Sequence, residues 1–163
     1  MLVQGASGGM STALIQLGRA AGFEVWATSR SREGRALAER LGAHHTFDAN
    51  EKLPRKLHTV IDNIGPASWE HSIGSVAQGG TIVITGLTTG PEVKLSLLPM
   101  LGDQITVTGS IMGTLRDMKR MISLIIEAGI KPEIGHILPM ERAKEAFQAM
   151  WEGETHGKTV LTR

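Results

Sequence analysis

Cysteine is absent from this chain of 163 residues. Disulfides, thiolate zinc sites and thiol nucleophiles are therefore excluded, and the redox compartment stays unmarked. An excess of charge of either sign is also missing. With 17 basic residues against 16 acidic ones, neither a nucleic-acid surface nor an acidic partner is indicated. No apolar run reaches the length of a membrane span. The opening Met1-Leu2-Val3-Gln4-Gly5 lacks the basic start and cleavage pattern of a secretory signal. The expected partners thus include no nucleic acid and no membrane, and the expected location is cytoplasmic. Linkers and internal repeats are missing too, because the 20 glycines are spread over turn positions. The length suits one domain with a full core.

What the chain does have is concentrated in Met1–Ala21. A short apolar run, Met1–Gln4, meets a turn of small residues, Gly5-Ala6-Ser7-Gly8-Gly9. Met10, Leu14, Leu17 and Ala21 then recur at helical spacing. A strand, a tight turn and a helix in that order leave free backbone N–H groups at a helix start, where partial positive charge collects. A phosphate is the natural guest there. A dinucleotide fingerprint wants small residues at three spaced positions. Here they are Ala6, Gly8 and Ser11, and an ordinary glycine turn is the competing reading. The Ser11 hydroxyl needs a partner if the helix is to lie close to the strand.

Glu24–Thr28 reads as the second strand. Domains that hold NAD by its ribose hydroxyls place an acid at the end of this strand. This chain places Ser29-Arg30-Ser31-Arg32 there. An acid would repel a 2′-phosphate, whereas an arginine pairs with it. The pattern favours NADP(H) over NAD(H), against the alternative of a solvated basic turn. Glu33–Leu41 is predicted as the second helix and His45–Asp48 as the third strand. His44 and His45, adjacent on a strand, point to opposite faces and read as surface imidazoles rather than metal ligands.

Thr59–Ile64 is the predicted fourth strand, and Asp62 at its end reads as either a backbone cap or a ligand contact. Ser68 is expected to cap a helix reaching about Val76, with Glu70 in its first turn. Gly79-Gly80 then turns into a fifth strand, Thr81–Thr85. Leu95–Leu101 is broken by Pro99 and is not expected to form one helix. Ile105–Gly109 alternates apolar residues with threonine, as an edge strand does. In Thr114–Ala128 the residues Leu115, Met118, Met121, Ile122 and Ile125 line one face, which is expected to be core. Glu133–Leu138 and Lys158–Thr162 read as strands around a helix, Glu141–Glu152, outside the earlier alternation. The whole predicts an α/β fold. It is a doubly wound parallel sheet in strand order 3-2-1-4-5-6, carried by residues 1–132, with a strand-helix-strand extension at 133–163.

Six segments in order carry a resemblance: VQGASGGMSTALIQL (3–17), AERLGA (38–43), VIDNIG (60–65), GGTIVITG (79–86), ITVTGS (105–110) and GKTVL (157–161). Together they resemble the cofactor-binding Rossmann half of the medium-chain dehydrogenases/reductases. That group includes zinc alcohol dehydrogenases and zinc-free quinone and enoyl reductases.

The resemblance implies that Ser7, Gly8, Gly9 and Met10 meet the pyrophosphate through their backbone. Ser29 falls where NAD users carry an acid, and Arg30 would sit by the 2′-phosphate. Asn63, Gly65, Gly86, Leu87, Thr88, Ser110 and Met112 would line the nicotinamide side. Ser11 stands where most relatives have glycine. Gly34 stands where many NADP users have lysine, so Arg30, Arg32 or Arg35 would supply that charge. The family's catalytic domain, which carries any zinc ligands, has no counterpart here. The resemblance therefore implies a fragment that binds NADP(H) but holds no zinc site, with 133–163 packing on the absent domain. It also implies a homodimer through strand 105–110. No residue stands out as a general acid or base. The alternative is a stand-alone nucleotide-binding or sensor module without turnover.

Overall fold

Six parallel strands form one twisted sheet in the predicted order, in a computed structural model that describes Met1–Arg163 throughout. The central strand is β1 (Leu2–Val3), flanked by β2 (Trp26–Ser29) and β4 (Leu57–Asp62). Outside these lie β3 (His45–Asp48) on one side, then β5 (Val76–Ile84) and the edge strand β6 (Thr106–Gly109) on the other. Successive side chains of a strand point to opposite faces, and β1 uses both. Leu2 joins Trp26, Val60 and Ile82 in one buried cluster. Val3 joins Ala27, Ile15 and Ala38 in another, beneath α1 (Gly9–Ala20) and α2 (Arg32–Arg40). Both faces of the sheet are covered at its centre, as parallel sheets require.

The helix α3 (Pro66–Ser75) starts two residues before Ser68. Pro66 takes the first helical position, where its missing N–H costs nothing. Gly65 is the N-cap, with φ of 93° and ψ of −134°, a conformation open in practice only to glycine. Ser68 therefore does not cap α3, and Glu70 lies outside its first turn. β5 also departs from expectation. It runs from Val76 straight through Gly79 and Gly80, because Leu57 of β4 pairs with Val76 before the register shifts. A further departure is α4 (Leu97–Gly102), which contains Pro99. Pro99 sits in the first turn, whose N–H groups have no helical acceptor, so the helix tolerates it.

The largest departure concerns α5 (Leu115–Glu127). No residue of it is buried, and Leu115, Met118 and Ile122 expose 72%, 52% and 45% of their surface. Apart from a contact with α1, the predicted core face has no cover in this chain, and of its five residues only Ile125 is half-buried. The extension consists of β7 (Ile134–Pro139), a short 3-10 turn, α6 (Ala143–Glu152) and β8 (Lys158–Thr162). β7 and β8 pair in parallel as a separate two-stranded sheet. No helix of the structure is long and apolar enough to cross a membrane.

Candidate dinucleotide site

The sheet's strands all end on one side, and there the loops after β1, β2, β3, β4 and β5 surround a cleft of about 840 Å³. Its floor is the small-residue turn. Gly8 is the N-cap of α1 and offers no side-chain acceptor, and the first turn holds no acid. The first helical bond is Thr12 N–H to Gly8 O at 2.9 Å. The N–H groups of Gly9, Met10 and Ser11 thus lack an intrahelical partner and concentrate the positive end of the helix dipole. Only Gly5 O lies within 4 Å of where a Cβ on Gly8 would stand, so glycine there leaves room for a ligand.

Ser11 is fully buried. Its hydroxyl donates to Gln4 O at 2.9 Å and accepts from Asn63 Nδ2 at 2.8 Å. The hydroxyl thus joins β1 to the end of β4, and α1 lies close to the sheet without a glycine at this position. Asp62, also fully buried, accepts from the N–H groups of Ile64 (2.9 Å) and Gly65 (3.0 Å) and from the hydroxyls of Ser68 and Ser72. It is a backbone cap that shapes the Asn63–Gly65 turn. Gln4 extends this network. Its amide donates to Ser72 Oγ at 3.0 Å and accepts from Thr28 Oγ1 at 2.6 Å.

At the other end of the cleft stand Ser29, Arg30 and Ser31 with Asp48, Ala49 and Asn50. A Cβ on Gly34 would lie 2.2 Å from Ser29 Oγ, so any side chain there requires the Ser29 hydroxyl to turn away. Arg35 is paired with Asp48 and also donates to Ser29 O at 3.1 Å. Arg30 enters none of the structure's ion pairs.

Of the residues named from the sequence, Ser7, Gly8, Ser29, Arg30, Asn63 and Thr88 line the cleft. Gly9, Met10, Gly65, Gly86, Leu87, Ser110 and Met112 do not. Gly65 and Gly86 work beneath it: a Cβ on Gly86 would lie 2.7 Å from Asn63 O, and one on Gly65 3.0 Å from Gly90 O. Ser110 and Met112 follow β6 on the same side of the sheet, where Met112 is 92% exposed.

One residue beside the cradle was not foreseen. Gly157 N–H donates to Ser7 O at 2.9 Å, and Gly8 bridges to Gly157. This pairing lays the Lys158 side chain over the start of α1, with Nζ 3.0 Å from where a Cβ on Gly9 would stand. The extension also reaches Arg30, whose Nη2 lies 3.7 Å from the corresponding point on Gly153. The motif at 157–161 was visible in the sequence, but its pairing with Ser7 and Gly8 is a tertiary contact.

Elsewhere the titratable groups serve structure. Glu24, at the opposite end of the sheet, is held below the usual carboxylate range by the Trp26 indole N–H and then by Arg55. His44 Nδ1 accepts from Val25 N–H at 2.9 Å, and His45 stands edge-on to Trp26. No group of three or more His, Cys, Asp or Glu side chains stands together.

The zinc-binding dehydrogenase family matches residues 9–127. An alcohol dehydrogenase of Geobacillus stearothermophilus is 27% identical over 163 residues, covering 94% of this chain and 48% of the relative. A quinone oxidoreductase of Mus musculus is 27% identical over 180 residues, covering 99% and 54%. A crystal structure of an NAD-dependent alcohol dehydrogenase superposes with a TM-score of 0.91 at 30% identity, over 99% of this chain and 50% of that one. The chain thus spans about half the length of the relatives it matches. The matched residues run from the first residue of α1 to the last of α5 and take in most of the sheet; on that extent, the chain belongs to the zinc-binding dehydrogenase family.

Proposed function

We propose that this chain binds a nicotinamide dinucleotide, NADP(H) in preference to NAD(H), and positions it within an oxidoreductase. The observation that carries this reading is the uncapped start of α1 opening on the same cleft as the unpaired Arg30. The backbone of Ser7, Gly8, Gly9 and Met10 holds the diphosphate, and Lys158 adds a charge that tracks it. Ser29 and Arg30 take the ribose 2′-phosphate. Asn63, Gly65, Gly86, Leu87, Thr88, Ser110 and Met112 form the nicotinamide end. When bound, the cofactor supplies hydride chemistry, and the protein supplies orientation and electrostatics. The reaction class is hydride transfer with a carbonyl, alcohol, quinone or enoyl substrate.

Residues 133–163 are read as an extension that meets a catalytic domain present in the longer relatives, and the whole enzyme is read as cytoplasmic. Alone, the chain binds cofactor without turnover. The open edge of β6 and the exposed Leu97, Leu98 and Leu101 beside it support a homodimer through strand 105–110. A second reading, a binding or sensor module that never turns over, draws support from the cleft's lining. Its only charged side chains are Arg30 and Asp48, and neither suits proton transfer to a substrate.

Calorimetric titration tests the binding that both readings share. NADPH is expected to bind roughly tenfold tighter than NADH, and Arg30→Asp to reverse the order. Equal or tighter NADH binding overturns the role of Arg30, and no binding of either overturns the site. Turnover of aldehydes or quinones by this chain alone would refute the reading that it needs a second domain.

A further inference from the structure

The adenosine end of the cleft contains an acid that the reading above leaves without a task. Asp48 is the last residue of β3 and pairs in register with Ser29, the last residue of β2. It lines the cleft beside Arg30 and Ser31. The acid expected at the end of β2 is thus missing, while an acid one strand further out faces the same space. Its carboxylate is 61% exposed and is paired with Arg35, which is only 23% exposed. Arg35 is tied at a second point as well, donating to Ser29 O at 3.1 Å. The Asp48 backbone is fixed in turn, since its N–H donates to Glu51 Oε2 at 2.8 Å. One of the three arginines between residues 30 and 35 is therefore drawn behind the strand ends.

We propose that Asp48 sets the degree of NADP(H) discrimination, by holding Arg35 away from the 2′-phosphate and by offering a carboxylate oxygen to a ribose hydroxyl. This rests on the reading that Arg30 marks the place of that phosphate. A carboxylate accepts a hydrogen bond from a 2′-hydroxyl, so it favours NAD(H). It repels a phosphate dianion in the same space. Its bond to Arg35 matters equally: a guanidinium committed to a carboxylate and a carbonyl has fewer donors left for a second anion. Arg30 and Asp48 then oppose one another across one cleft, and the site accepts both cofactors with a moderate preference. Loss of the Asp48 charge alone should convert it to a strongly NADP-selective one.

A double-mutant cycle read by calorimetry tests this. Wild type, Asp48→Asn, Arg35→Met and the double variant are each titrated with NADPH and NADH. The measurements are repeated with 2′,5′-ADP and 5′-ADP, which isolate the adenosine end. Asp48→Asn is expected to raise the NADPH-to-NADH affinity ratio roughly tenfold. Arg35→Met is expected to cost NADPH binding several-fold more in the Asp48→Asn background than in the wild type. Thermal melts confirm that the variants fold, as an exposed pair of this kind contributes little stability. An unchanged ratio in Asp48→Asn overturns the proposal, as does an equal cost of Arg35→Met in both backgrounds. If Arg30→Asp leaves the ratio unmoved, the reading of Arg30 falls and this proposal falls with it, whereas a ratio unmoved in Asp48→Asn alone overturns only the role of Asp48.

Discussion

Helices α1 and α5 contact one another, and both carry an apolar face, yet they meet opposite fates. α1 buries Ser11, Thr12, Ile15 and Gly18 against the sheet. α5 has the more sharply divided apolar and polar faces and buries none of its residues. The same division holds across the chain. The two buried clusters draw on residues up to Ile105, whereas Leu97, Leu101, Ile111, Met112, Leu115 and Trp151 are each more than two-thirds exposed. Amphipathic spacing shows that a face needs cover, but it does not say which chain provides the cover. Large exposed apolar surfaces are characteristic of contact regions.

Substitutions on the two helices should separate them. The largest effect is expected at α1: Ile15→Ala should cost about 3 kcal/mol in chemical denaturation, through lost burial and the cavity left behind. A loss under ~1 kcal/mol would mean that α1 is held no better than α5. Next is the extension's hold on the cradle. Lys158→Met should weaken NADPH and NADH alike by roughly tenfold and flatten the salt dependence of binding, read by titration at two ionic strengths. A selective loss of NADPH would place Lys158 near the 2′-phosphate instead.

Smaller again is the cap of α5. Thr114 Oγ1 accepts from Asp117 N–H at 3.2 Å, and Asp117 accepts in return from Thr114 N–H at 2.9 Å. Thr114→Ala should cost this helix about 1 kcal/mol. The Thr114 hydroxyl, and then its backbone N–H, hold the Asp117 carboxyl below the usual carboxylate range. A lowered folded value gives stabilisation that is full above the unfolded carboxylate pKa and lost as pH falls through the folded one. Amide exchange in α5 should therefore accelerate below about pH 4 in the wild type and lose that dependence in Asp117→Asn. The smallest effect is expected on the open face itself. Ile122→Ala should change stability by less than ~0.5 kcal/mol, and a loss matching that of Ile15→Ala would show that the face is covered in solution.

Much of the sheet was legible because each of its strands ends at a turn signal that local chemistry explains. His45–Asp48 and Lys158–Thr162 fall at their predicted bounds. Misplaced bounds trace to tertiary choices. Asp62 collects Ser68 and Ser72 into its own network and so frees Gly65 to cap α3. Pro99 is tolerated because it falls in a first turn. The uncapped start of α1 was legible from the Gly5–Gly9 turn, and the place of Arg30 beside the cleft from the run that replaces an acid after β2. Asp48 was not, because it enters the cleft through its register with Ser29, and Lys158 was not, because it arrives from 150 residues away.

Under the function proposed above, free amides at the start of α1 receive a diphosphate while Arg30 receives the 2′-phosphate. Titration of NADP+ into isotopically labelled protein, followed by amide NMR, tests it most directly. The account predicts the largest shifts at Ser7–Ser11 and Arg30, with NAD+ reproducing the first set and not the second. Shifts confined to other residues, or a cradle unmoved at saturating NADP+, would contradict it.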